Sequence, residues 1–505
     1  MFRLFSCLFF IVLISGCDTG PPPEADTAKQ IVSTSIKTGK PVHGCKKCHK
    51  MVLDPKHDLD CSSCHGGDDG SDTREQAHQG FIRQPAHPDH MMDSCGECHR
   101  EQVQDLQHSL HMTLSNSVNL VRQALGATDS LAGLTEIPIT PQPEDLVQLG
   151  DDLLRRRCLR CHLYTEGDDF PAVRRPTGCG ACHLDFSVSP LSHTFIGKPK
   201  DDQCLRCHYG NRVGFDYHGR FEHDFNEEYR TPISTTVATT QQYGLEFHDL
   251  SPDIHFKKGL ICIDCHAGRS LMGAKTKRKI TCRSCHDPQE LGRRTVAGII
   301  LEDGKFFLRA QGDNRLHKIP LMTDPAHQEY EEQIDCQVCH ALWSFNDSGV
   351  HLLRSDLDEY EPFQHLISQG SSEVTTLLEA SLNFDEEDPE PVMTDKITGE
   401  KRPGVWYKGF GQRRWESITL GRDNRNRIRV MRPMLDLHLS WLNEDEEVRF
   451  DSVVGPSNPT GLTPYTPHTT GRAGLFYRER LHAYLHSKQR NISETTHPHG
   501  LPDNP

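Results

Sequence analysis

The chain is poor in the residues from which protein cores are usually built. Hydrophobic residues fill 35% and aromatic residues 7% of its 505 positions, and the mean hydropathy is −0.61. These values are low for a chain of this length and, taken alone, would suggest disorder. After residue 16 the sequence also lacks any apolar run that could cross a bilayer as a helix, which takes about 20 residues. The sequence therefore predicts no membrane span after that point.

Positive charge is also in short supply. Lys and Arg total 56 against 71 Asp and Glu, which gives a formal net charge of −15 at pH 7. A chain of this charge is poorly suited to nucleic acid or to acidic membrane surfaces. Proteins with basic surfaces and metal cations are more compatible partners.

Cysteine is missing from residues 18–505 except in nine copies of one pattern, Cys-x-x-Cys-His. The chain has 20 cysteines, and the repeats use all but the two at positions 7 and 17. We number the motifs one to nine in chain order: Cys45/Cys48/His49, Cys61/Cys64/His65, Cys95/Cys98/His99, Cys158/Cys161/His162, Cys179/Cys182/His183, Cys204/Cys207/His208, Cys262/Cys265/His266, Cys282/Cys285/His286 and Cys336/Cys339/His340.

This pattern is the attachment signature of a c-type haem. Two thiols at this spacing can bond as thioethers to the two vinyl groups of one porphyrin, and the adjacent histidine becomes the proximal ligand of the iron. A zinc site would combine two Cys-x-x-Cys pairs, a redox dithiol would occur once, and disulfides would suit an exported protein. None of these needs the histidine that is present all nine times. The sequence therefore predicts nine covalently bound haem c groups.

The first residues of the chain predict export and lipid attachment. Arg3 precedes an apolar run, Leu4 to Ile14, that is too short to span a membrane and has the form of a signal peptide. The run ends in Ile14-Ser15-Gly16-Cys17, which resembles the lipobox of bacterial lipoproteins. By that resemblance residues 1–16 are removed and Cys17 is acylated; the alternative is an ordinary signal peptide with a chance cysteine. Residues 17–40, rich in Pro, Thr, Ser and Ala, are predicted to be a flexible linker.

Residues 41–345 are predicted to form one haem region. The motifs fall into three groups of three, which suggests three modules. Nine haems within residues 41–345 are numerous enough for the porphyrins to serve as the core. The expected fold class is therefore a multihaem cytochrome c, with mostly loops and short α-helices wrapped around stacked haems. Helical spacing of apolar residues predicts one helix over 101–125. Asp303-Gly304, between two β-rich runs, predicts a hairpin.

Residues 350–490 lack haem motifs and are predicted to form a smaller mixed α/β C-terminal subdomain. Aromatic and β-branched residues mixed with turn formers predict strands within Trp406–Trp415, Arg427–Val430, Leu435–Trp441 and Val448–Val454. A final helix is predicted over Leu475–His486, and residues 491–505 are predicted to be a tail.

The occupant of the sixth position on each iron decides what a haem can do. Histidine or methionine there gives a closed electron carrier, whereas an open position admits a substrate. Nine of the 31 histidines are proximal, which leaves 22 for at most nine distal sites; the alternative for each is a surface histidine. Met51, Met91 and Met92 are further candidates, although methionine is more often packing. The distal histidine candidates, chosen by position, are His43, His57, His90, His108, His111, His193, His218, His223, His255, His317, His327 and His468.

Two features of the C-terminal region could serve the haems. His468 follows the proline-bracketed loop Pro464–Pro467, and similar Pro-His segments in multihaem cytochromes supply a distal ligand just before another motif. No cysteine follows here, so His468 either ligates one of the nine irons, which we favour, or is the relic of a lost tenth site. An arginine run could pair with haem propionates or form a solvated strand face; its members are Arg422, Arg425, Arg427, Arg429 and Arg432.

The chain resembles multihaem c-type cytochrome lipoproteins of metal- and metalloid-reducing bacteria. The resemblance rests on the nine motifs, the lipobox and the segment from His255 to Gly273, which contains motif seven and Leu271-Met272-Gly273. It covers residues 1 to about 345. Some relatives of this type are associated with selenite or tellurite reduction, and others with electron conduits across the outer membrane. No motif has the proximal lysine that marks nitrite-reducing multihaem enzymes, which argues against a catalytic haem.

Three functions are consistent with these features. The favoured one is electron transfer between a periplasmic or membrane donor and a redox partner, in anaerobic respiration or extracellular electron transfer. The second is a terminal reductase that acts on an oxyanion or metal at one haem with an open site. The third is a structural subunit of a haem wire or porin–cytochrome complex.

The same features predict where the chain works and what it meets. The expected location is the bacterial cell envelope, at the periplasmic side, the outer membrane or the cell surface. Expected partners are redox proteins of the envelope, the membrane through the lipid anchor, and a porin or other cytochromes. No nucleic-acid partner is expected.

Overall fold

The computed structural model of the chain describes most of its length. The described residues are 44–49, 51, 53–185, 193–210, 214–223, 242–266, 268–273, 280–293, 296–330, 332–364, 369–382, 389–409, 411–415, 418–433, 436–456, 462–473 and 475–495. The predicted signal peptide (1–16), the lipidation site Cys17, the linker (17–40) and the distal candidate His43 lie outside the described residues. Residues 496–505 of the predicted tail also lie outside them.

Most helices in the described residues are one or two turns long. The α-helices are α1 (Ser62–His65), α2 (Arg74–Ala77), α3 (Met91–Ser94), α4 (Gly96–Gln107), α5 (Leu110–Thr113), α6 (Ser115–Ala124), α7 (Leu146–Arg156), α8 (Gly180–His183), α9 (Asp201–Leu205), α10 (Ile254–Lys257), α11 (Cys262–Cys265), α12 (Gly268–Leu271), α13 (Cys282–His286), α14 (Pro288–Gly292), α15 (Pro325–Tyr330), α16 (Cys336–His340), α17 (Ser372–Ala380) and α18 (Leu475–Thr495). Short 3-10 helices cover Gly44–Lys47, Leu134–Glu136, Cys158–Arg160 and Glu361–Phe363. The wrapping of these short helices around haems stays a prediction.

The strands form small sheets that are concentrated in the C-terminal third. They are β1 (Arg220–His223), β2 (Glu246–Asp249), β3 (Ile299–Glu302), β4 (Lys305–Arg309), β5 (Leu316–Lys318), β6 (Asn346–Ser348), β7 (Val350–Ser355), β8 (Val392–Thr394), β9 (Lys401–Pro403), β10 (Val405–Lys408), β11 (Gln412–Arg414), β12 (Thr419–Arg422), β13 (Ile428–Pro433), β14 (Leu437–Leu442), β15 (Val448–Val453) and β16 (Leu462–Pro464). Their orders are β1-β2, β3-β4-β5, β8-β9, β11-β6, β12-β13-β16 and β10-β7-β14-β15. The β7–β14 pair is parallel, and Leu439 lies opposite Leu352.

The main apolar core joins two helices to the four-stranded sheet. Val118 on α6 and Leu149 and Leu153 on α7 are buried in one cluster with Trp406 on β10 and Trp441 on β14. The α7 apolar side chains recur at the helical period, so one face of the helix packs on the sheet. The strands after residue 350 therefore share their core with helices that precede motif four.

Three buried arginines, at positions 155–157, tie the end of α7 to the C-terminal strands. Their guanidinium groups donate to the carboxylate of Asp395 and to the backbone carbonyls of Gly404 and Trp406 at 2.6–2.7 Å. Motif four begins at the next residue, Cys158. The C-terminal region thus fixes the position of motif four.

Replacing Asp395 with asparagine is expected to destabilise the fold. The Asp395 carboxylate is fully buried, pairs with Arg155 at 2.6 Å and Arg402 at 3.2 Å, and accepts the Ile397 amide at 2.9 Å. Asparagine leaves a buried cation without its counter-ion, which costs on the order of 3–5 kcal/mol. Glu400→Gln is the matched control, because Glu400 pairs with Arg402 at the surface and such pairs contribute about 0–1 kcal/mol. Equal denaturation midpoints for the two variants would contradict this assignment.

The same carboxylate makes stability depend on pH. Burial would raise the pKa of Asp395, but hydrogen bonds from Arg155 and from the Ile397 and Thr398 amides outweigh it and lower the pKa. A carboxylate whose pKa is lower in the folded state stabilises fully above its unfolded value, near pH 4, and this contribution is lost as the pH falls through the folded-state pKa. The Asp395→Asn variant should therefore lose less stability than the native chain on acidification.

The prediction of one continuous helix over residues 101–125 is wrong. Three helices, α4, α5 and α6, cover this stretch. Ser109 starts α5 by accepting the Met112 amide at 3.2 Å, and Leu114 adopts a left-handed conformation with φ of 50°. Apolar periodicity identifies the buried face of these helices, but it does not detect local caps and turns.

Other local predictions are confirmed. β3 and β4 pair antiparallel across Asp303-Gly304, with Glu302 opposite Lys305. The final helix, α18, begins at Leu475 as predicted and continues to Thr495. Within the described residues, no helix combines the length and apolar character of a membrane span.

Candidate haem-binding sites

Eight of the nine motifs are built on a helical turn. In motifs one, two, three, five, six and seven the histidine amide donates to the carbonyl of the first cysteine at 2.9–3.0 Å. Motifs eight and nine lie within α13 and α16. Residues i, i+3 and i+4 share one face of a helix, so both thiols and the imidazole point to the same side. This is the arrangement needed to hold one porphyrin by two bonds and one ligand.

Motif four departs from this geometry. Cys161 has φ −110° and ψ 50°, and among the described backbone bonds none closes the turn from His162 to Cys158. The buried imidazole of His162 uses both nitrogens: Nδ1 accepts the Tyr164 amide at 3.1 Å, and Nε2 donates to the Lys396 carbonyl at 3.0 Å. In this conformation His162 does not offer Nε2 to a metal.

The polypeptide does not enclose all of the predicted attachment cysteines. Six of the eighteen motif cysteines are exposed on the polypeptide, and the other twelve are partly buried. Haem attachment at these positions stays a prediction. The six exposed cysteines are Cys48, Cys98, Cys158, Cys182, Cys265 and Cys282.

The surroundings of Cys48 and Cys98 explain their exposure. Cys48 follows Lys47, whose ammonium group pairs with Asp72 at the surface at 2.8 Å, so this end of motif one faces solvent. Cys98 lies in the first turn of α4, and the buried positions of that helix are Gly96, Val103 and Leu106, which leaves Cys98 on an unpacked side. The spacing of a motif thus predicts its thiols but not their burial, which depends on how the surrounding chain packs.

Backbone carbonyls orient several of the other motif histidines. A carbonyl oxygen only accepts, so the facing Nδ1 carries the proton and the lone pair lies on Nε2. Such second contacts fix a ligating imidazole in its tautomer and orientation. His65, His183, His286 and His340 donate in this way to the carbonyls of Ile82, Ile196, Pro320 and Gly471 at 2.8–3.0 Å.

A second imidazole faces seven of the nine motif histidines. With a metal–imidazole bond of about 2.0 Å, two imidazoles on opposite sides of one metal ion have ring centroids about 6.2 Å apart. Each facing pair contains one motif histidine, and no histidine occurs twice, so the separations fit bis-histidine ligation of one iron per pair. The pairs, with centroids 6.0–6.4 Å apart, are His49–His78, His65–His193, His99–His57, His208–His111, His266–His468, His286–His255 and His340–His327.

Carboxylates orient two of the facing histidines. The Nδ1 of His57 donates to Asp54 at 2.9 Å, and the Nδ1 of His255 donates to Asp253 at 2.8 Å. Asp253 also accepts the His255 amide at 2.8 Å and so caps α10. These bonds direct the opposite nitrogen, Nε2, toward the motif histidine.

A buried carboxylate organises the loop that carries His468. Asp216 accepts the Tyr465 hydroxyl at 2.5 Å and the His468 amide at 2.8 Å, and its Oδ2 lies 3.7 Å from the His468 Nδ1. Burial alone would lower the pKa of His468, but the negative charge of the nearby Asp216 carboxylate raises it. The Thr470 amide donates to Asp253 at 2.6 Å, so two aspartates hold this loop against motif seven.

The other predicted distal histidines lie elsewhere. His90 faces another non-motif histidine at 6.1 Å, and His108 is exposed at the end of α4. His218 packs on an aromatic ring, His317 lies on β5, and for His223 the structure describes only the backbone. The structure thus brings six of the twelve candidates opposite a motif histidine: His57, His111, His193, His255, His327 and His468.

One facing histidine was not predicted, and one methionine candidate has another role. His78 ends α2 and donates from Nδ1 to the Arg74 carbonyl at 2.7 Å. Its only signal in the sequence is that it lies between two motifs.

Met91 is fully buried in an apolar cluster with Val103 and Leu106, which is a packing position.

The motifs approach one another through their cysteines. Four pairs of thiols from different motifs lie near enough to shift each other's pKa: Cys95 and Cys179, Cys161 and Cys207, Cys204 and Cys262, and Cys282 and Cys336. Charge effects on the pKa also relate Cys45 to Cys61, Cys64 to Cys95, Cys182 to Cys204 and Cys265 to Cys285. These neighbouring thiols place the motifs in the order one, two, three, five, six, seven, eight and nine. Motif four joins this row at motif six.

Arg175 places a buried positive charge where motifs four, five and six meet. Its side chain is 1% exposed, it donates to backbone carbonyls that include His162 at 2.9 Å, and its Nε has no partner among the described residues. Its charge acts on the thiols of Cys161, Cys182 and Cys207. A buried cation is costly without an opposite charge, and the carboxylates of haem propionates would supply one. The orphaned nitrogen therefore fits a bound porphyrin.

Arg175→Met tests this fit. If a porphyrin carboxylate pairs with Arg175, the variant should lose on the order of 3–5 kcal/mol of stability. The reduction potential of the adjacent haems should also fall, because the lost positive charge had favoured the reduced iron. Denaturation and a redox titration followed by visible absorption measure both effects. Arg174→Met is the control, because Arg174 pairs with Asp169 at the surface; a more stable Arg175→Met protein would contradict the pairing.

Comparison of the chain with protein-family models, with curated proteins and with solved structures gives no match. Across the described ranges, no group of three or more His, Cys, Asp or Glu side chains could hold a bare metal ion. What the chain offers to a ligand is its nine motifs, the seven facing imidazoles and the row of thiol contacts.

Proposed function

We propose that this chain carries electrons along a row of nine covalently bound haem c groups. The observation that carries the proposal is the set of nine motifs, seven of which have a second imidazole with its ring centroid 6.0–6.4 Å from the motif histidine. The neighbouring thiols support an order with eight motifs in one line and motif four beside motif six. A thioether lies at the edge of its porphyrin, so neighbouring thiols would bring porphyrin edges near one another. When bound, each haem supplies a one-electron iron couple. The protein supplies the order, the spacing and the ligands.

The facing imidazoles favour a carrier over an enzyme. At seven motifs a second histidine lies where a sixth ligand would be needed. An iron held by two imidazoles has no position left for a substrate. Carbonyls hold the rings of His78 and His111, and carboxylates hold those of His57 and His255, so little reorganisation of these four would accompany a change in iron charge.

A terminal reductase is the second candidate, and motif five favours it. His183 donates from Nδ1 to the Ile196 carbonyl at 2.9 Å, which leaves Nε2 available. In the part of the chain that the structure describes, no second imidazole lies opposite this ring. Cys179 and Cys182 connect motif five to motifs three and six, so an oxyanion or metal ion bound there would receive electrons from within the row.

The proposed location is the bacterial cell envelope. The signal-like start and the lipobox at Cys17 support an exported lipoprotein held to a membrane by acyl chains. The proposed partners are envelope redox proteins, with a porin or other cytochromes in a larger conduit. The net charge of −15 suits partners with basic docking faces.

Intact mass and EPR of the purified mature protein test the proposal. The expected mass is that of the polypeptide with its lipid and nine haems, and the expected EPR signals are mainly low-spin. A bare-polypeptide mass, or a colourless preparation from a host able to mature cytochromes, would overturn it.

A high-spin signal would favour the reductase, and paired variants locate it. The signal should vanish when Cys179 and Cys182 are changed to alanine and persist when Cys282 and Cys285 are changed instead. Absence of any high-spin signal in the native protein would remove the second candidate.

A further inference from the structure

We propose that a basic pocket beside motif nine binds a small free oxyanion or carboxylate. The pocket has a volume of about 350 Å³. Its walls carry three arginines and two aspartates, which is a local excess of positive charge on a chain whose net charge is −15. The lining residues are Asp335, Asp423, Asn424, Arg425, Arg427 and Arg429.

The turn between β12 and β13 forms one wall of the pocket. Asp423 accepts the amides of Arg425 at 2.9 Å and Arg427 at 3.0 Å with the same carboxylate oxygen. Asn426 takes the left-handed conformation that the turn requires, with φ of 62°. The Asp423 carboxylate is therefore used mainly to hold the turn.

The second wall is the segment that leads into motif nine. The Ile428 amide donates to the Gln333 carbonyl at 2.8 Å, and the Asp335 amide donates to the Ile428 carbonyl at 2.9 Å. Asp335 precedes Cys336, and its charge acts on the thiols of both Cys336 and Cys282. The pocket thus adjoins the contact between motifs eight and nine.

The arginines present unsatisfied donors to this pocket. The Nε atoms of Arg427 and Arg429 are buried and have no hydrogen-bond partner among the described residues. The nearest carboxylate oxygens to Arg429 are 3.5 Å away on Asp335 and 3.8 Å away on Asp423, which is too long for a hydrogen bond. A buried N–H without a partner costs free energy. Planar guanidinium groups match the oxygens of a carboxylate or oxyanion, so such an anion would satisfy both donors.

The anion could come from solvent or from a porphyrin propionate, and solvent is favoured. Asn424 and Arg425 are exposed, so the mouth of the pocket is open. Anion binding does not depend on the proposed electron transfer, but any effect on haem potentials does.

Equilibrium dialysis of radiolabelled inorganic phosphate against the full-length holoprotein at low ionic strength tests the site. We expect the native protein to have one saturable phosphate site. Changing both Arg427 and Arg429 to glutamine should lower the affinity for phosphate at least about tenfold. Arg449→Gln is the matched control, because Arg449 lies on β15 and pairs with Glu447 at the surface. It should bind phosphate as the native protein does.

The outcomes separate the sources of the anion. No saturable binding to the native protein, or equal binding by the double variant, would overturn the proposal. If phosphate does not bind but the double variant shifts a haem potential, a porphyrin carboxylate fills the pocket and the free anion is excluded. Visible absorption and circular dichroism of each variant report haem content and folding, so a failure of the haem assignment would be seen separately from phosphate binding.

Discussion

Removing motif seven should divide the row of haems into two parts that no longer exchange electrons rapidly. The pKa of Cys204 in motif six responds to Cys262, and that of Cys265 responds to Cys285 of motif eight, so motif seven lies between these two motifs. With Cys262 and Cys265 changed to alanine, the porphyrin that joins these neighbours is not attached. Electrons that enter at motif one should then reach motif six at the native rate but reach motifs eight and nine slower by orders of magnitude.

Protein-film voltammetry with simultaneous visible absorption can measure this division. The protein is tethered to an electrode near its N-terminus, and the fraction of haem that responds is followed as the scan rate rises. The native protein should respond as a whole, whereas the motif-seven variant should show a slow fraction that corresponds to two haems.

Removal of motif four is the matched control. Changing Cys158 and Cys161 to alanine also deletes one haem, but motif four is attached to the row only as a branch through Cys207. All the remaining haems should respond at the native rate. If the two variants behave alike, the order of motifs inferred from the thiol contacts is wrong.

Replacing His468 with alanine should convert the haem of motif seven from low spin to high spin. The His468 ring lies 6.2 Å from the His266 ring, and Asp216 holds its loop through the Tyr465 hydroxyl and the His468 amide. Both of these bonds survive the substitution, so the loop should keep its position and leave the iron with one imidazole.

EPR of the oxidised protein would show this change as one new high-spin signal, and added imidazole should restore the low-spin form. His482→Ala serves as the control, because His482 is exposed on α18. An unchanged spectrum for His468→Ala would assign His468 to a structural role or to the relic of a lost site.

The chemistry of the attachment sites is local and can be read from the sequence. Two thiols and an imidazole within five residues need only one helical turn to share a face, and the structure forms that turn in eight motifs. The exception, motif four, depends on contacts from far along the chain, since the His162 ring is held by the Lys396 carbonyl. Local spacing contains no information about such contacts, nor about the exposure of Cys48 and Cys98.

The partners of the motif histidines are much harder to predict. His57, His193 and His468 face motifs that are not their neighbours in sequence, so only the folded chain identifies the pairs. Spacing in sequence also does not give the order in space, because motif three contacts motif five directly. These arrangements depend on tertiary packing, which no local pattern specifies.

The arginine run illustrates the same limit. Three of its members line the pocket beside motif nine. Arg432 lies over the Tyr465 ring at 4.7 Å, and Arg422 donates to the Asn426 carbonyl at 2.6 Å. The five arginines therefore do not share one role, either as a solvated strand face or as partners of propionates. Pairing of any one of them with a propionate stays a prediction.

The segment 468–471 also bears on how the protein is made. It brings His468 opposite His266, and the Gly471 carbonyl accepts the Nδ1 proton of His340 at 3.0 Å. Both contacts are supplied late in synthesis to motifs that emerged much earlier. A polypeptide truncated before residue 468 would keep all nine attachment motifs but lose the imidazole opposite His266 and the carbonyl that orients His340. Cleavage near the C-terminus would therefore alter two distant motifs without removing either one.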